Sequence, residues 1–175
     1  EIYNYKELAL ENKIDLKTTS DTELLVELYV RYKEKMLSML NGMFAFLIFD
    51  KKNNNFFIAR DRLGIKPLYV FNSPEGTIIS SEINAILKLT KTIELDDIGI
   101  RQYKKLRAFH NNRTIYKNIS SFPAAHYFNS KFPYEKLYIY KYWDLDFSKI
   151  SNVTDNEIEQ LLDSSVKFRN LSDVP

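Results

Sequence analysis

The sequence predicts a layered α+β fold, and three observations carry that prediction. A helix-start signature, Ser20-Asp21-Thr22-Glu23, precedes apolar residues at helical spacing. A short continuous apolar run, Met43 to Phe49, follows and turns back on itself as a hairpin. Further helical segments come after the strands. A hairpin buried on both faces needs layers above and below it, and helices are the elements available to supply them.

The elements follow in order. Ser20 carries an oxygen suited to capping the N–H groups of a helix that starts at Asp21, and Glu23 is placed to return the bond. Asp21 stands in the first turn, where the helix dipole favours negative charge. Leu25, Leu28, Tyr29, Tyr32, Met36, Met39 and Leu40 continue the stripe, which predicts one helix from Asp21 to about Leu40. Asn41-Gly42 ends it. Met43–Phe49 reads as a strand buried on both faces, Asp50–Asn55 as a polar turn and Phe56–Ala59 as the returning strand. Leu68–Phe71 and Thr77–Ser80 make a second pair around Pro74-Glu75-Gly76. Helices are predicted from about Glu82 to Leu89 and from Asp96 to Leu106. Residues 107–135 show no clean period. Leu137–Tyr140 reads as a strand and Phe147–Val153 as a linker. Thr154-x-x-Glu157 is a capping box opening a last helix with Ile158, Leu161, Leu162 and Val166.

Composition narrows the function classes. The chain has 175 residues, the size of one domain or slightly more, and its 45% hydrophobic content excludes global disorder. With 25 basic and 23 acidic side chains the net charge is +2, which gives no electrostatic case for nucleic acid or an anionic membrane. Lys104, Lys105 and Arg107 form a basic helix end that reads as a solvated face. No apolar run of about 18 residues is present and no signal segment opens the chain, so a cytoplasmic location is expected. The absence of cysteine excludes disulfides, Cys-ligated zinc and a thiol nucleophile within this chain. His110 and His126 stand alone, so no metal site is expected. There is no Gly-x-Ser-x-Gly turn and no serine matched to a convincing His and Asp. The sequence opens on Glu1-Ile2-Tyr3-Asn4-Tyr5 and stops at Ser172-Asp173-Val174-Pro175, which leads to the expectation of a piece cut from a longer protein.

One segment carries more. Ala59-Arg60-Asp61-Arg62-Leu63-Gly64-Ile65-Lys66-Pro67-Leu68-Tyr69 leaves one strand and enters the next through a charged loop. From the residues alone, Arg60 and Asp61 pair or tie down the loop backbone, Gly64 is free to take positive φ, and Pro67 begins a strand at its edge. This segment resembles the Arg-Asp-x-x-Gly-x-Lys/Arg-Pro-Leu signature of class II glutamine amidotransferases. The phrases Glu1-Ile2-Tyr3-Asn4, Ser20-Asp21-Thr22-Glu23, Leu40-Asn41-Gly42-Met43-Phe44-Ala45-Phe46, Ser81-Glu82-Ile83, Tyr142-Trp143 and Ser172-Asp173-Val174-Pro175 are similar, in order, to the asparagine synthetase branch of that family.

The resemblance implies an N-terminal-nucleophile hydrolase-type αββα sandwich, incomplete here. It implies a glutamine amidotransferase domain over residues 1–146, then a linker and the first helix of an asparagine synthetase domain over residues 147–175. In such proteins a mature N-terminal Cys attacks the side-chain amide of glutamine, its own α-amino group acts as base, and Asn and Gly donors hold the oxyanion. The released ammonia reaches the synthetase domain, where ATP and Mg²⁺ convert aspartate to the adenylate that ammonia attacks. Carried over, Asp21 binds the α-amino group of glutamine, as an ionised acceptor suits an ammonium, and Glu1 lines the same pocket. Arg60, Asp61, Gly64 and Lys66 are assigned to structure and the inter-domain face, not to bond-making. No catalytic residue and no cofactor is assigned within the chain: the nucleophile, the oxyanion donors and the carboxylate-clamping arginine are expected upstream of Glu1, and the ATP loop beyond Pro175. The expected partners are glutamine and the missing synthetase domain, with a homodimer as a further expectation. The segment alone is expected to be inactive and poorly stable, with open sheet edges. Pro123-Ala124-Ala125-His126 departs from the family's Pro-Pro-Gly-His, so that if the glycine there takes positive φ, Ala125 puts the turn in doubt. Leu171 replaces a usual basic residue. A non-catalytic interaction module, or an amidotransferase acting on a sugar or antibiotic precursor, are the alternatives.

Overall fold

The computed structural model describes residues 1–90, 93–131, 138–148 and 153–170. Contacts divide the chain into two units, Glu1–Gly42 with Asp144–Pro175, and Met43–Trp143. No described helix is long and apolar enough to cross a membrane.

The first unit holds α1 (Tyr5–Glu11), α2 (Asp21–Tyr32), a 3₁₀ segment (Lys33–Ser38) and α5 (Asp155–Arg169). The helix α1 escapes the sequence reading because seven residues are too few to display a helical period. It buries Leu8 and Ala9, and Asn12 just beyond it is held from α2: Arg31 Nη1 donates to its carbonyl and the Tyr32 hydroxyl to its side-chain oxygen, each at 2.7 Å.

The helix starting at Asp21 forms, but two details differ from expectation. Ser20 does accept from the N–H of Thr22. Glu23, however, does not return the bond to Ser20; its carboxylate accepts from the backbone of Lys17 and Thr18 and from the Thr18 hydroxyl, tying the preceding loop to the helix. Nor does the helix run to Leu40. Lys33 takes φ +52°, its ammonium lies 4.3 Å from the centre of the Tyr29 ring, and the chain continues as 3₁₀. The tighter turn buries the consecutive Met36 and Leu37. At the other end of the sequence the capping box is present in full: Thr154 accepts from the N–H of Glu157, whose carboxylate accepts from the N–H of Thr154 at 2.8 Å. The apolar stripe of α5, Ile158, Leu161, Leu162 and Val166, is exposed.

The second unit is built on two antiparallel sheets. One runs β1 (Ala45–Asp50), β2 (Asn55–Arg60), β6 (His126–Lys131), β7 (Ile139–Lys141); the other runs β4 (Gly76–Ser80), β3 (Tyr69–Ser73), β5 (Ile119–Ser121). Both predicted hairpins are present, with Phe49 opposite Phe56 in the first and Phe71 opposite Ile78 in the second. The core between the sheets joins Ile58 of β2 and Phe128 of β6 to Val70 of β3, with Leu68 and Phe122. Two helices, α3 (Ile83–Leu89) and α4 (Asp97–Leu106), complete this unit; α3 buries Ile86 and packs on β4.

The two-sided burial expected of the first strand belongs to its partner. On β2 the consecutive Phe57, Ile58 and Ala59 are all buried, whereas β1 alternates and leaves Leu47 and Phe49 47% and 42% exposed. Among the described strands β1 pairs only with β2, while β2 sits between β1 and β6, which is why β2 is the covered one. The unreadable stretch 107–135 contains β5 and β6. Leu137, residues 149–152, Leu171 and Ser172–Pro175 lie outside the described residues.

The turn at Ala125 forms with alanine in place. Ala125 takes φ +58° and is buried; its N–H donates to the carbonyl of Asp61 and its carbonyl accepts from the N–H of Tyr142, both at 2.9 Å. A left-handed alanine costs about 1–2 kcal/mol, and two buried backbone bonds hold it there.

Candidate functional site

The sequence-assigned residues gather into two groups, one in each unit. In the first unit Asp21 opens α2, its place fixed by the Ser20 cap and by the Glu23–Thr18 tie. Its Oδ2 accepts from the backbone N–H of Ile2 at 2.8 Å and lies 3.7 Å from the backbone nitrogen of Glu1. Asp21 and Glu1 therefore share one open cleft of about 740 Å³, lined also by Ile2, Tyr3, Lys6, Thr19, Ser20 and the Phe168 ring of α5. That volume accommodates a molecule of amino-acid size. Three acidic residues, Glu1, Glu7 and Asp21, outnumber the one lysine, Lys6, around this cleft, so the site attracts an ammonium and its hydroxyl and backbone groups can hydrogen-bond a polar ligand.

The wall bearing Glu1 and Ile2 is held from behind by residues that the sequence did not single out. Ile2 bridges Gly42, Tyr3 N–H donates to the carbonyl of Asn41 at 2.8 Å, and the Asn4 side chain reaches the backbone of both Met39 and Asn41. A side chain added at Gly42 would lie 2.2 Å from the Glu1 carbonyl, so the two segments meet only because residue 42 is glycine.

In the second unit the loop from Arg60 to Lys66 is organised from within. Asp61 is 1% exposed. Its Oδ1 accepts from the N–H groups of Leu63 and Ile65 at 3.1 and 2.9 Å, and its Oδ2 from those of Lys66 and Phe44 at 3.0 and 3.3 Å. Arg60 supplies the complementary half. Its Nε donates to the Lys66 carbonyl, Nη2 to the Gly64 carbonyl, and Nη1 to the Ser121 hydroxyl and the Phe122 carbonyl. Burial lowers the Arg60 guanidinium from its ordinary value, and the neighbouring Asp61 charge opposes that shift. Gly64 takes φ +66°, and a Cβ there would stand 3.1 Å from the guanidinium carbon. Lys66 contributes its backbone N–H and carbonyl to this lattice. The Tyr142 hydroxyl closes it, donating to the Arg60 carbonyl at 2.9 Å; burial, then the Asp61 charge, pushes that phenol well above its usual value. In these bonds the polar atoms of Arg60 and Asp61 are turned to the loop's own backbone and to Phe44, Ser121 and Phe122.

Among the described residues no three His, Asp or Glu side chains stand close enough to hold a metal ion. The chain has no cysteine, so the cleft can bind but holds no thiol of its own.

Comparison with known proteins bears on both groups. A model of the glutamine amidotransferase domain matches residues 1–143. A protein of Methanocaldococcus jannaschii is 36% identical over 183 aligned residues, covering all of this chain and 35% of its own length. Asparagine synthetase (glutamine-hydrolyzing) 3 of Bacillus subtilis is 32% identical, and asparagine synthetase B (glutamine-hydrolyzing) of Escherichia coli 33% identical; each covers the whole chain, which spans 30% and 28% of their lengths. Among solved structures, the glutamine phosphoribosylpyrophosphate amidotransferase of B. subtilis, complexed with ADP and GMP, superposes with a TM-score of 0.53 at 22% identity, over 80% of this chain and 27% of that one. This likeness shows the fold, which is of the N-terminal-nucleophile hydrolase type.

Proposed function

From the premise that the chain belongs to the glutamine amidotransferase domain family, we propose that it is part of a glutamine-hydrolysing asparagine synthetase and supplies the ammonia that amidates aspartate. The observation that carries this reading is the cleft in which Asp21 and Glu1 meet. Asp21 takes the α-ammonium of glutamine, and Glu1 lines the pocket beside the oxyanion donors. The thiol that attacks the amide, and the donors that hold the oxyanion, come from outside this chain. Thioester formation would release ammonia, and water would then release glutamate. The loop of Arg60, Asp61, Gly64 and Lys66 keeps its charges for its own backbone and serves structure and the face toward the second domain. That domain begins after residue 146 in this reading, so that the exposed stripe of α5, Ile158, Leu161, Leu162 and Val166, is covered by it. ATP and Mg²⁺ bind there, and no residue of this chain is assigned to them.

The test uses the full-length protein. Asp21→Asn keeps an oxygen for the Ile2 N–H but removes the charge, so KM for glutamine should rise about 10- to 100-fold, the value of a charge-assisted bond. Asparagine formation from added ammonia should not change. Equal loss with glutamine and with ammonia would refute the assignment of Asp21, and transfer of the amide nitrogen to an acceptor other than aspartate would refute the product.

A further inference from the structure

The asparagine at position 4 stands where a helix cap belongs and does not cap. It is the residue preceding α1, and asparagine is among the favoured residues there because its side-chain oxygen can accept from the N–H groups of the first turn. Here that oxygen accepts instead from the backbone N–H of Asn41 at 2.9 Å, while the side-chain amide donates to the carbonyl of Met39 at 3.0 Å. The side chain is drawn away from its own helix to residues 35 and 37 positions further along the chain.

Those two bonds act on the cleft. They fasten Asn4 to the turn after the 3₁₀ segment, in line with the Tyr3–Asn41 backbone bond and the Ile2–Gly42 bridge. Together these contacts fix the height and tilt of Glu1 and Ile2. The N–H of Ile2 then holds Oδ2 of Asp21, so the direction of the Asp21 carboxylate depends on where the Glu1–Asn4 segment lies. From this geometry we infer that Asn4 is a positioning residue for the glutamine pocket: it sets the wall from which Ile2 orients Asp21 and on which Glu1 stands. The inference rests on the proposed glutamine-binding role of that cleft.

Replacement by serine separates this role from a merely structural one. Serine is as common as asparagine at helix starts, so Asn4→Ser leaves α1 a compatible first residue while removing both bonds to Met39 and Asn41. Asn4→Asp keeps the acceptor for the Asn41 N–H and loses only the donor to Met39. The experiment is glutamine hydrolysis by the full-length protein and both variants, measured as glutamate release well below the melting temperature, together with that temperature. The expected result is a KM for glutamine raised about fivefold or more in Asn4→Ser, with kcat changed less than KM in a variant that is folded at the assay temperature. Asn4→Asp should fall between Asn4→Ser and the unsubstituted protein, and it decides the matter if the serine variant fails to fold. Unchanged KM in the folded variants would overturn the inference even if the melting temperature fell, since that is what a structural clasp alone would give. A full-length protein that hydrolyses no glutamine before substitution would remove the pocket reading itself and this inference with it.

Discussion

Asp61→Asn is the sharpest test of how the charged loop is held. The change is one atom: a carboxylate oxygen becomes an amide NH₂. In the native loop each oxygen accepts from two backbone N–H groups, Oδ1 from Leu63 and Ile65 and Oδ2 from Lys66 and Phe44. Asparagine keeps one acceptor oxygen, so whichever way its amide turns, two N–H donors face another donor. A hydrogen bond to a charged group contributes about 1.5–3 kcal/mol, and a buried donor left unpaired is penalised further. Two such bonds lost at a site 1% exposed to water give an expected destabilisation of about 3–5 kcal/mol. That is a large share of the ~5–15 kcal/mol that holds an ordinary domain together. The assay is denaturant unfolding followed through Trp143, the single tryptophan, which lies in the same unit with the Arg62 guanidinium 5.8 Å from its ring. Asp50→Asn is the control: Asp50 also accepts from a neighbouring N–H, that of Asn53, but in an exposed hairpin turn, and should lose less than about 1 kcal/mol. A loss below about 1 kcal/mol at Asp61, or one equal to that at Asp50, would refute the claim that its carboxylate organises the loop.

Two further outcomes concern ionisation. Tyr142→Phe removes the bond to the Arg60 carbonyl and should cost about 1 kcal/mol at neutral pH; because burial and the Asp61 charge raise the phenol above its ordinary value of 10.0, its contribution is complete below pH 10 and fades as pH rises further, so alkaline denaturation curves of the parent and the variant should converge. Asp96 caps α4 and pairs with Arg113 at 2.6 Å; burial opposes its charge, but Arg113 and the N–H groups of Gly99 and Ile98 outweigh burial and lower it below 3.8, so its contribution is present above that pH and is lost as pH falls through the lowered value. Acid unfolding of Asp96→Asn, which keeps the cap but not the charge, should be less steep than that of the parent, and identical curves would refute the pairing.

Legibility followed the local strength of each signal. The last helix is readable because Thr154 and Glu157 are exposed and bond each other, so the capping box closes as written. The same pattern at Ser20 and Glu23 misled, because the loop before α2 offers Glu23 the two N–H groups and the hydroxyl of Lys17 and Thr18. Lys33 at positive φ ends α2 where neither glycine nor proline warns of it, so the continuous apolar spacing predicts a longer helix than the one that forms. Strands β5 and β6 were hidden for another reason. Ile119–Ser121 is short and polar, and His126–Lys131 owes its place to pairing with β2, where Phe57 faces Asn129 from 72 positions away, a partner that no local window contains. Ala125 marks the limit of motif reasoning: the turn needs a left-handed residue, and tertiary bonds from Asp61 and Tyr142 hold alanine in it.

The same contrast explains which part of the site could be read. Both charges of Arg60-Asp61 looked like chemistry in a row, and in the fold each is consumed by backbone within a few residues or by the neighbouring strand. A charge so fully bonded and so deeply covered is a poor candidate to bind anything that comes and goes, because each bond to a ligand would break one already made. Asp21 is the opposite case. Its side chain is 30% exposed, it opens a cleft, and the bond that holds it comes from a backbone amide of the adjoining wall. Sequence spacing cannot tell these carboxylates apart, since both follow a polar residue at the edge of an element. What separates them is the direction of their bonds, inward at Asp61 and toward an open face at Asp21. That direction is set at long range, by Gly42, which lets Glu1 approach, and by the side chain of Asn4, which keeps it there.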